Sequence, residues 1–518
     1  MPGGWLESAD PEAWSVLSHL WRQQLTDVDR ARIAHVLDLA TTDQALAQRV
    51  AAEILARRER AALHRSGQRD LPTVRRTAHN VVQGQVLLGQ VLPDQRNVPA
   101  MASGLFGLDH DVLRTSMLVI GPPGSGKTYS FAVPLVEHLS LSALANKASL
   151  VVVDTKGDDF AFEGWFDVTI DLQDPTWGFS LYGGATTADE AADRLASALQ
   201  PLKVSDEKAY FTDAARNAVY ACLAPFQAAY DRWPSVEELL RLLRADPDYL
   251  GNVKAALHDH PEARQLRELL ETRRRQASGH SDPAASAVER FALLDRPALR
   301  RLFDHPARTF GMREIDKPLR VRVVLPEAQY PDASRVLARL VVSQFVQVVS
   351  APNTNRGIFK CLLVDEAGRF VDEYVARGVQ RVRSNNAGLV LLGQSLSEFP
   401  PELERTMFGG TGCKAVFGGM HPADADVFSA FWGEQARFET TVSYTESATQ
   451  PSDMWGRSTG SVKTSGRGMS VKRVDQPRWS VSDLITQVAP GQCVISLTRS
   501  DGRRVGPVLV DLRRQSTR

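Results

Sequence analysis

"MLVIGPPGSGKTYSF", residues 117–131, decides how the chain is read. Met117–Ile120 is an apolar run of strand length, and a helix-length segment follows Thr128. Between them stands Gly121-x-x-x-x-Gly126-Lys127-Thr128. Glycines let successive backbone N–H groups turn inward around phosphate oxygens, and the next helix points its positive N-terminus at the same anion. Gly121, Pro122, Pro123, Gly124, Ser125, Gly126, Lys127, Thr128 and Tyr129 are therefore expected to bind ATP. Lys127 is expected to reach the β- and γ-phosphates and serve catalysis, and Thr128 to offer its hydroxyl to Mg²⁺.

Such a loop needs a carboxylate for the metal and another for the attacking water. Asp154 follows the apolar run "LVVV", and Asp365 with Glu366 follows "CLLV". Two adjacent carboxylates at one strand end suit the task better, because one can face the metal while the next faces the water. Asp365 is assigned to Mg²⁺ and Glu366 to water activation. Asp154 and Lys156 in "VVVDTKGD" read as a structural or substrate-side turn beside the nucleotide. A third strand, "AGLVLLGQ", ends in Gln394. Ligands of an open parallel sheet gather at the carboxyl ends of its strands, so Gln394 is expected at the γ-phosphate. Its amide can donate to phosphate and accept from water. Arg381 and Arg383 precede that strand; each reads either as an arginine finger for a neighbouring subunit or as a solvated helix end.

The strand–helix–strand order of "VLRTSMLVIG" and "KASLVVVD" is the signature of a parallel sheet in an α/β protein. Residues 1–80 form an N-terminal helical region, opened by the Asp-Pro start signal of "DPEAWSVLSHLWRQQL". Residues 51–80 hold seven Arg against three acids, either a solvated helix face or a nucleic-acid or membrane-surface patch. The nucleotide domain occupies 81–186, is interrupted by an all-α block over 187–310, and resumes at 311–439. Residues 440–471, rich in Ser, Thr and Gly, read as a flexible polar loop, and 472–518 complete the nucleotide domain.

The 518 residues carry 61 Lys plus Arg against 61 Asp plus Glu. That balance excludes a uniformly basic nucleic-acid coat but allows a locally basic channel. Four scattered cysteines give no disulfide framework or zinc pattern, which fits a reducing compartment. No signal peptide and no apolar run of about 18 residues is present, so the chain is expected to be cytoplasmic and not to cross a membrane. His258-Asp-His260 has too few neighbouring ligands for a metal site. DNA-phosphate candidates are Arg457, Lys463, Arg467, Lys472 and Arg473 in the polar loop and Arg273–Arg275 in the helical block; a solvated face is the alternative for each cluster. Trp455 either stacks on a base or folds back onto the core.

"GPPGSGKT", "VVVDTKGD", "LLVDEAGRF" and "LVLLGQSLSEF" resemble, in order and spacing, the motifs of the type IV secretion coupling proteins, the conjugation ATPases of the TraG/TraD type and relatives of the FtsK and HerA motors. Pro134, "GGMHPADADVFSAFWGEQ" (418–435) and "WSVSDLITQVAPGQCVISL" extend the resemblance over roughly residues 85–512. It implies a RecA-like P-loop NTPase with a mostly parallel central sheet and an inserted all-α domain facing the relaxosome. It implies a ring, usually a homo-hexamer, with ATP sites between subunits and a DNA channel. Within the matching motif it selects Arg383 as the trans finger. Partners implied are DNA, a relaxase or relaxosome, and secretion-channel or membrane-anchor proteins, with location at the inner face of the cell membrane through such a partner. Two departures stand out. The family's usual two N-terminal membrane helices are not in this sequence, and "DPTWGFSLYG" replaces its usual Asn-Pro-Leu, leaving Trp177 and Leu181 to pack there. Rival readings are a soluble HerA/FtsK-like DNA motor for repair, segregation or defence, and a docking scaffold switched by nucleotide; an acid at Glu366 favours turnover over the scaffold.

Overall fold

The computed structural model describes residues 2–199, 206–279, 282, 284–305, 308–371, 373–452, 454–457 and 461–513. In chain order the strands are β1 His79–Asn80, β2 Gln85–Val91, β3 Gly104–Asp109, β4 Met117–Ile120, β5 Ala148–Asp154, β6 Val168–Asp171, β7 Gly178–Phe179 and β8 Thr309–Phe310. They continue as β9 Arg320–Val324, β10 Phe359–Val364, β11 Ala387–Gly393, β12 Cys413–Phe417, β13 Glu434–Thr449, β14 Val462–Pro477, β15 Gln492–Thr498 and β16 Arg504–Asp511.

A twelve-stranded sheet runs β1-β2-β16-β15-β12-β4-β11-β10-β5-β9-β6, with β3 on β2. From β12 to β6 every neighbour is parallel; β15, β16, β2, β1 and β3 form an antiparallel flank. β4, β5, β9, β10, β11 and β12 are buried along their whole length, as a parallel sheet covered on both faces requires. The helix Val133–Leu144 packs on one face; the helix Pro331–Ser350 belongs to the apolar cluster on the other. This is a RecA-like α/β architecture.

The inserted block is helical as expected, from Ala188–Leu199 to Pro297–Phe303. β7 and β8 pair in parallel, Phe179 opposite Phe310, where the chain leaves for the insert and returns. Trp177 packs against the main core and Leu181 is buried in it.

The N-terminal helices close on their own core of Leu6, Leu17, Leu20, Ile33, Leu37 and Ile54. Asp10 caps the helix Pro11–Gln23 by accepting from the Ala13 N–H at 3.0 Å, as the Asp-Pro signal predicts. Regular helix ends at Arg60, however, and residues 61–78 are turns and bends. Much of the arginine-rich stretch is tied down there: Arg69 to Asp29, Arg75 to Asp27 (2.6 Å) and Asp70 (2.7 Å), Arg65 to Glu314 (3.6 Å).

Residues 440–449 and 462–471 of the polar segment are not loop but strand. β13 and β14 pair in unbroken antiparallel register from Glu434–Pro477 to Thr449–Val462, forming a ribbon of sixteen-residue strands. Thr440, Val442 and Tyr444 stand opposite Val471, Met469 and Arg467 on one face. β-branched and aromatic residues at period two make strands without any core-facing run, and a ribbon exposed on both faces shows no burial signal in its sequence. Arg467 lies over the Tyr444 ring at 5.7 Å, and Arg473 pairs with Asp475. In the insert, Arg273 is fully buried, bonded to the Leu243 carbonyl and paired with Asp282 at 2.7 Å, so it is a structural residue and not a surface DNA contact.

Asp29 and Arg32 are both fully buried and paired at 2.8 Å. Asp29→Ala leaves an uncompensated buried guanidinium, so unfolding of the N-terminal helical unit is expected to become easier by about 3–5 kcal/mol. Denaturant unfolding followed by Trp fluorescence measures it; a loss below about 1 kcal/mol contradicts the pair's role.

Candidate nucleotide site

The site is set by strand register. Gly393 of β11 is opposite Ile120 of β4, and Val364 of β10 is opposite Leu391 of β11 and Val153 of β5. Four strands thus end almost level, delivering Gly121, Gln394, Asp365 and Asp154 to one edge. Backbone bonds continue past the strands: Gly121 N–H donates to the Gly393 carbonyl at 3.2 Å, and Asp365 N–H to the Val153 carbonyl at 3.1 Å.

The phosphate loop takes the conformation its glycines permit. Gly124 and Gly126 have φ of +76° and +102°, where a side chain is strained. A Cβ on Gly121 would lie 2.6 Å from Phe417 Cβ and 2.9 Å from Ser125 Oγ. The loop is also held from behind: Gly491 N–H donates to the Ser125 carbonyl at 3.0 Å. The buried Lys127 ammonium donates to the Gly121 carbonyl at 2.7 Å. Burial lowers its pKa, opposed by Glu366, Asp365 and Glu398. Thr128 stands in the first turn of the helix, half-buried. Tyr129 is 72% exposed, with the Arg76 guanidinium 5.4 Å from its ring centre.

The two adjacent acids stand in different surroundings. Asp365 is buried; its Oδ1 accepts from the Glu366 N–H at 3.1 Å, and its Oδ2 has no hydrogen-bond partner. Burial, opposed chiefly by Lys156, pushes its pKa up to about 6. An orphaned, buried carboxylate oxygen near the head of a phosphate loop that also carries a threonine hydroxyl is the hard-oxygen donor set that suits Mg²⁺. Glu366 sits in the left-handed region, φ 52° and ψ 41°, a conformation rare for glutamate. The turn brings its carboxylate to Gln394, whose Nε2 donates to Oε1 at 2.8 Å and Oε2 at 3.0 Å. Gln394 and Glu366 therefore meet across neighbouring strands.

Several residues that complete the site carry no separate sequence signal. Glu398, four residues after Gln394, accepts the Gln394 N–H at 3.1 Å; its pKa is raised by burial and by Glu366. Asp424 accepts the Leu396 N–H at 3.2 Å and fixes the same loop. Lys156 pairs with Asp159 at 2.9 Å; that bond, with Asp365 and Glu366 nearby, raises its pKa against the effect of burial. Asp154 is structural, matching one of its two readings: fully buried, it binds Arg322 at 2.8 Å and accepts the Gly157 N–H at 2.9 Å, which shapes the turn holding Lys156. The "TKGD" spacing alone does not disclose Arg322, which arrives from β9.

Arg383 lies elsewhere. It follows the helix Glu373–Val382 at the opposite end of β11 from Gln394, and its guanidinium donates to the Ser500 carbonyl in the turn between β15 and β16. It is not among the groups this chain gathers around its own phosphate loop. Among the described residues no group of three or more His, Cys, Asp or Glu could hold a metal by itself. Among them, too, no helix is long and apolar enough to cross a membrane.

The folded protein without nucleotide holds the Asp365 proton more tightly than the unfolded chain does, since its pKa rises from 3.8 to about 6. Ionising it therefore costs stability progressively as pH rises through that window, by about 3 kcal/mol once complete. Asp365→Asn is expected to melt higher than wild type at about pH 8 without nucleotide, the gain fading by about pH 4, and to lose the Mg²⁺-dependent part of the nucleotide-induced melting shift. Equal melting temperatures across that range would contradict the raised pKa.

No protein-family model matches the sequence, and no curated protein does. Solved structures do. The bacterial conjugative coupling protein TrwBdeltaN70, in its unbound monoclinic form, aligns with 82% of this chain and 91% of its own at 17% identity, TM-score 0.55. TrwB in complex with the non-hydrolysable ATP analogue ADPNP aligns over 79% of this chain and 87% of its own, 16% identical, TM-score 0.52. TrwB in complex with ADP and Mg²⁺ aligns over 79% and 88%, 17% identical, TM-score 0.51. At these identities the likeness is one of fold: the chain has the RecA-like architecture of the plasmid coupling protein TrwB, as its four strand-end motifs lead one to expect.

Proposed function

We propose that this protein is an ATP-hydrolysing motor of the coupling-protein kind, which moves DNA or a relaxase–DNA conjugate towards a type IV secretion channel. The observation that carries this reading is the contact between Gln394 and Glu366 beside Lys127 and Asp365. It unites a phosphate cradle, a metal carboxylate, a water-activating carboxylate and an amide that can sense the γ-phosphate. The fold shared with TrwB, whose structures hold an ATP analogue and ADP with Mg²⁺, supports nucleotide and metal as ligands.

The chain's own groups suggest the following sequence. Lys127 exchanges the Gly121 carbonyl for phosphate oxygens. Asp365 and Thr128 would hold Mg²⁺, which when bound would neutralise phosphate charge. Gln394, which satisfies the Glu366 carboxylate in the absence of nucleotide, turns its amide to the γ-phosphate, and Glu366 is freed to orient and deprotonate the attacking water. Arg383, remote from this site in its own subunit, acts on a neighbour's within a homo-hexamer. A partner protein recruits the ring to the inner face of the membrane.

The deciding experiment is the ATPase rate against added single- and double-stranded DNA, with assembly state followed in the same samples. Stimulation is expected; a DNA-indifferent rate across assembly states contradicts the motor. Lys127→Ala is expected to abolish nucleotide binding or turnover, and wild-type hydrolysis would overturn the site. Glu366→Gln should bind ATP but hydrolyse it about 10²–10⁴-fold more slowly. Arg383→Ala should impair hydrolysis without weakening nucleotide binding to isolated subunits. Mixing it with Glu366→Gln subunits should restore part of the activity, and no recovery at any ratio counts against the finger.

A further inference from the structure

The residue after Thr128 differs from those that follow it. The Tyr129 ring is 72% exposed, whereas the helix is buried from Phe131 to Leu144. Its turn, Lys127–Ala132, is π-helical: the Val133 N–H donates to the Thr128 carbonyl five residues back. Such wide turns are rare and are frequent at functional sites. Two residues from elsewhere in the chain support the ring. The Arg76 guanidinium lies 5.4 Å from the centre of Tyr129 and 4.6 Å from that of Phe162, and among the described residues it makes no ion pair.

Both supports are fixed. The Arg76 N–H donates to the two oxygens of the fully buried Glu137 at 3.0 Å, which ties it to the helix Val133–Leu144. Phe162 tilts against the buried Trp165, ring centres 4.3 Å apart, and Trp165 Nε1–H donates to Thr73 Oγ1 at 2.7 Å. Asp154 Oδ2 accepts the Phe160 N–H at 3.3 Å, so the acid at the end of β5 shapes the loop that brings Phe162. A cation–π contact at so exposed a ring adds little to folding. It does hold a flat aromatic surface directly beside the phosphate loop.

A nucleotide whose phosphates fill that loop carries one large flat apolar part, its base. Lys127, Asp365, Glu366 and Gln394, which serve the γ-phosphate end in the function proposed above, offer charge and an amide but no ring. The base leaves from the α-phosphate end, and Tyr129 is the first side chain beyond Thr128. Base–aromatic stacking tolerates any base, because every base has a π-face, and a guanidinium adds a cation–π contribution.

We propose that Tyr129 is the base shelf of the nucleotide site: the base of the bound nucleotide stacks on its ring, which Arg76 and Phe162 hold in place. This assignment rests on the nucleotide reading of the phosphate loop, and it makes the turns and bends of residues 61–78 part of the nucleotide site. The ligand class is a nucleoside di- or triphosphate. Arg76 is a positioning residue that acts through the ring.

The test uses the full chain with Mg²⁺ and either ADP or pyrophosphate, which fills the loop but has no base. Calorimetry reads ADP binding, and the melting shift at saturating ligand reads pyrophosphate. Y129A is expected to bind ADP about tenfold more weakly while keeping the wild-type pyrophosphate shift. Y129W is expected to regain the ADP affinity, and melting curves without ligand control for folding. Wild-type ADP affinity in Y129A would overturn the shelf and leave the phosphate-loop reading intact; if Y129A then binds a fluorescein-labelled single-stranded oligonucleotide more weakly, the ring serves a strand and not the nucleotide. An equal loss for ADP and pyrophosphate would also overturn the shelf, because the substitution would then act on the loop and not on the base. A wild-type protein that binds neither ligand overturns both readings. R76M is expected to share the selective loss of ADP and R76K to recover part of it, since an ammonium also rests on a ring. Unaltered ADP affinity in R76M would remove Arg76 from the shelf.

Discussion

The register of β4, β11 and β10 is the constraint on which the rest of the structure depends. Gly393 opposite Ile120 and Val364 opposite Leu391 bring three chain segments, more than a hundred residues apart at the widest, to one edge. A slip of one residue would move Gln394 by about 3.3 Å and turn its side chain to the other face of the sheet. The amide–carboxylate contact with Glu366 would then be lost. The site needs the wholly buried parallel block less for strength than for alignment, because full burial on both faces makes a slipped register expensive.

The polar groups of the site are only loosely partnered. Lys127 rests on a carbonyl, Glu366 on an amide, and one oxygen of Asp365 on nothing. Glu366 holds a backbone conformation that costs about 1–3 kcal/mol at such positions. Asp365, Glu366 and Glu398 crowd together, with Lys127, Lys156 and Arg369 among their cationic neighbours. A magnesium triphosphate offers cation to the carboxylates and anion to the lysines. The contacts that a ligand must break are weak, and those it makes relieve burial.

How much of this is legible in the sequence depends on whether a feature is local. The phosphate loop is, since two glycines at positive φ and an adjacent lysine lie within eight residues. The acidic pair and Gln394 are, because each ends an uninterrupted apolar run. The helical insert shows itself in the sequence by the absence of strand patterns; its helices run from Ala188–Leu199 to Pro297–Phe303, and β8 follows them. Features made by distant pairing are not. Arg322 finds Asp154 from another strand, and Glu398 and Asp424 act on backbone N–H groups that leave no side-chain pattern. The ribbon is missed for a further reason: with both faces in water, its Ser, Thr and Gly content resembles a loop, and only the pairing of β13 with β14 reveals order.

The bond between Gly491 and Ser125 has a consequence for biogenesis. The phosphate loop is complete as sequence at residue 128, yet its rear support comes from residue 491, and Leu512 in turn donates to the Gly491 carbonyl. β16 also pairs with β2 across more than four hundred residues. A chain emerging from the ribosome therefore carries a phosphate loop that stays unbraced until residue 491 has been made. The brace thus arrives more than three hundred residues after the loop it supports.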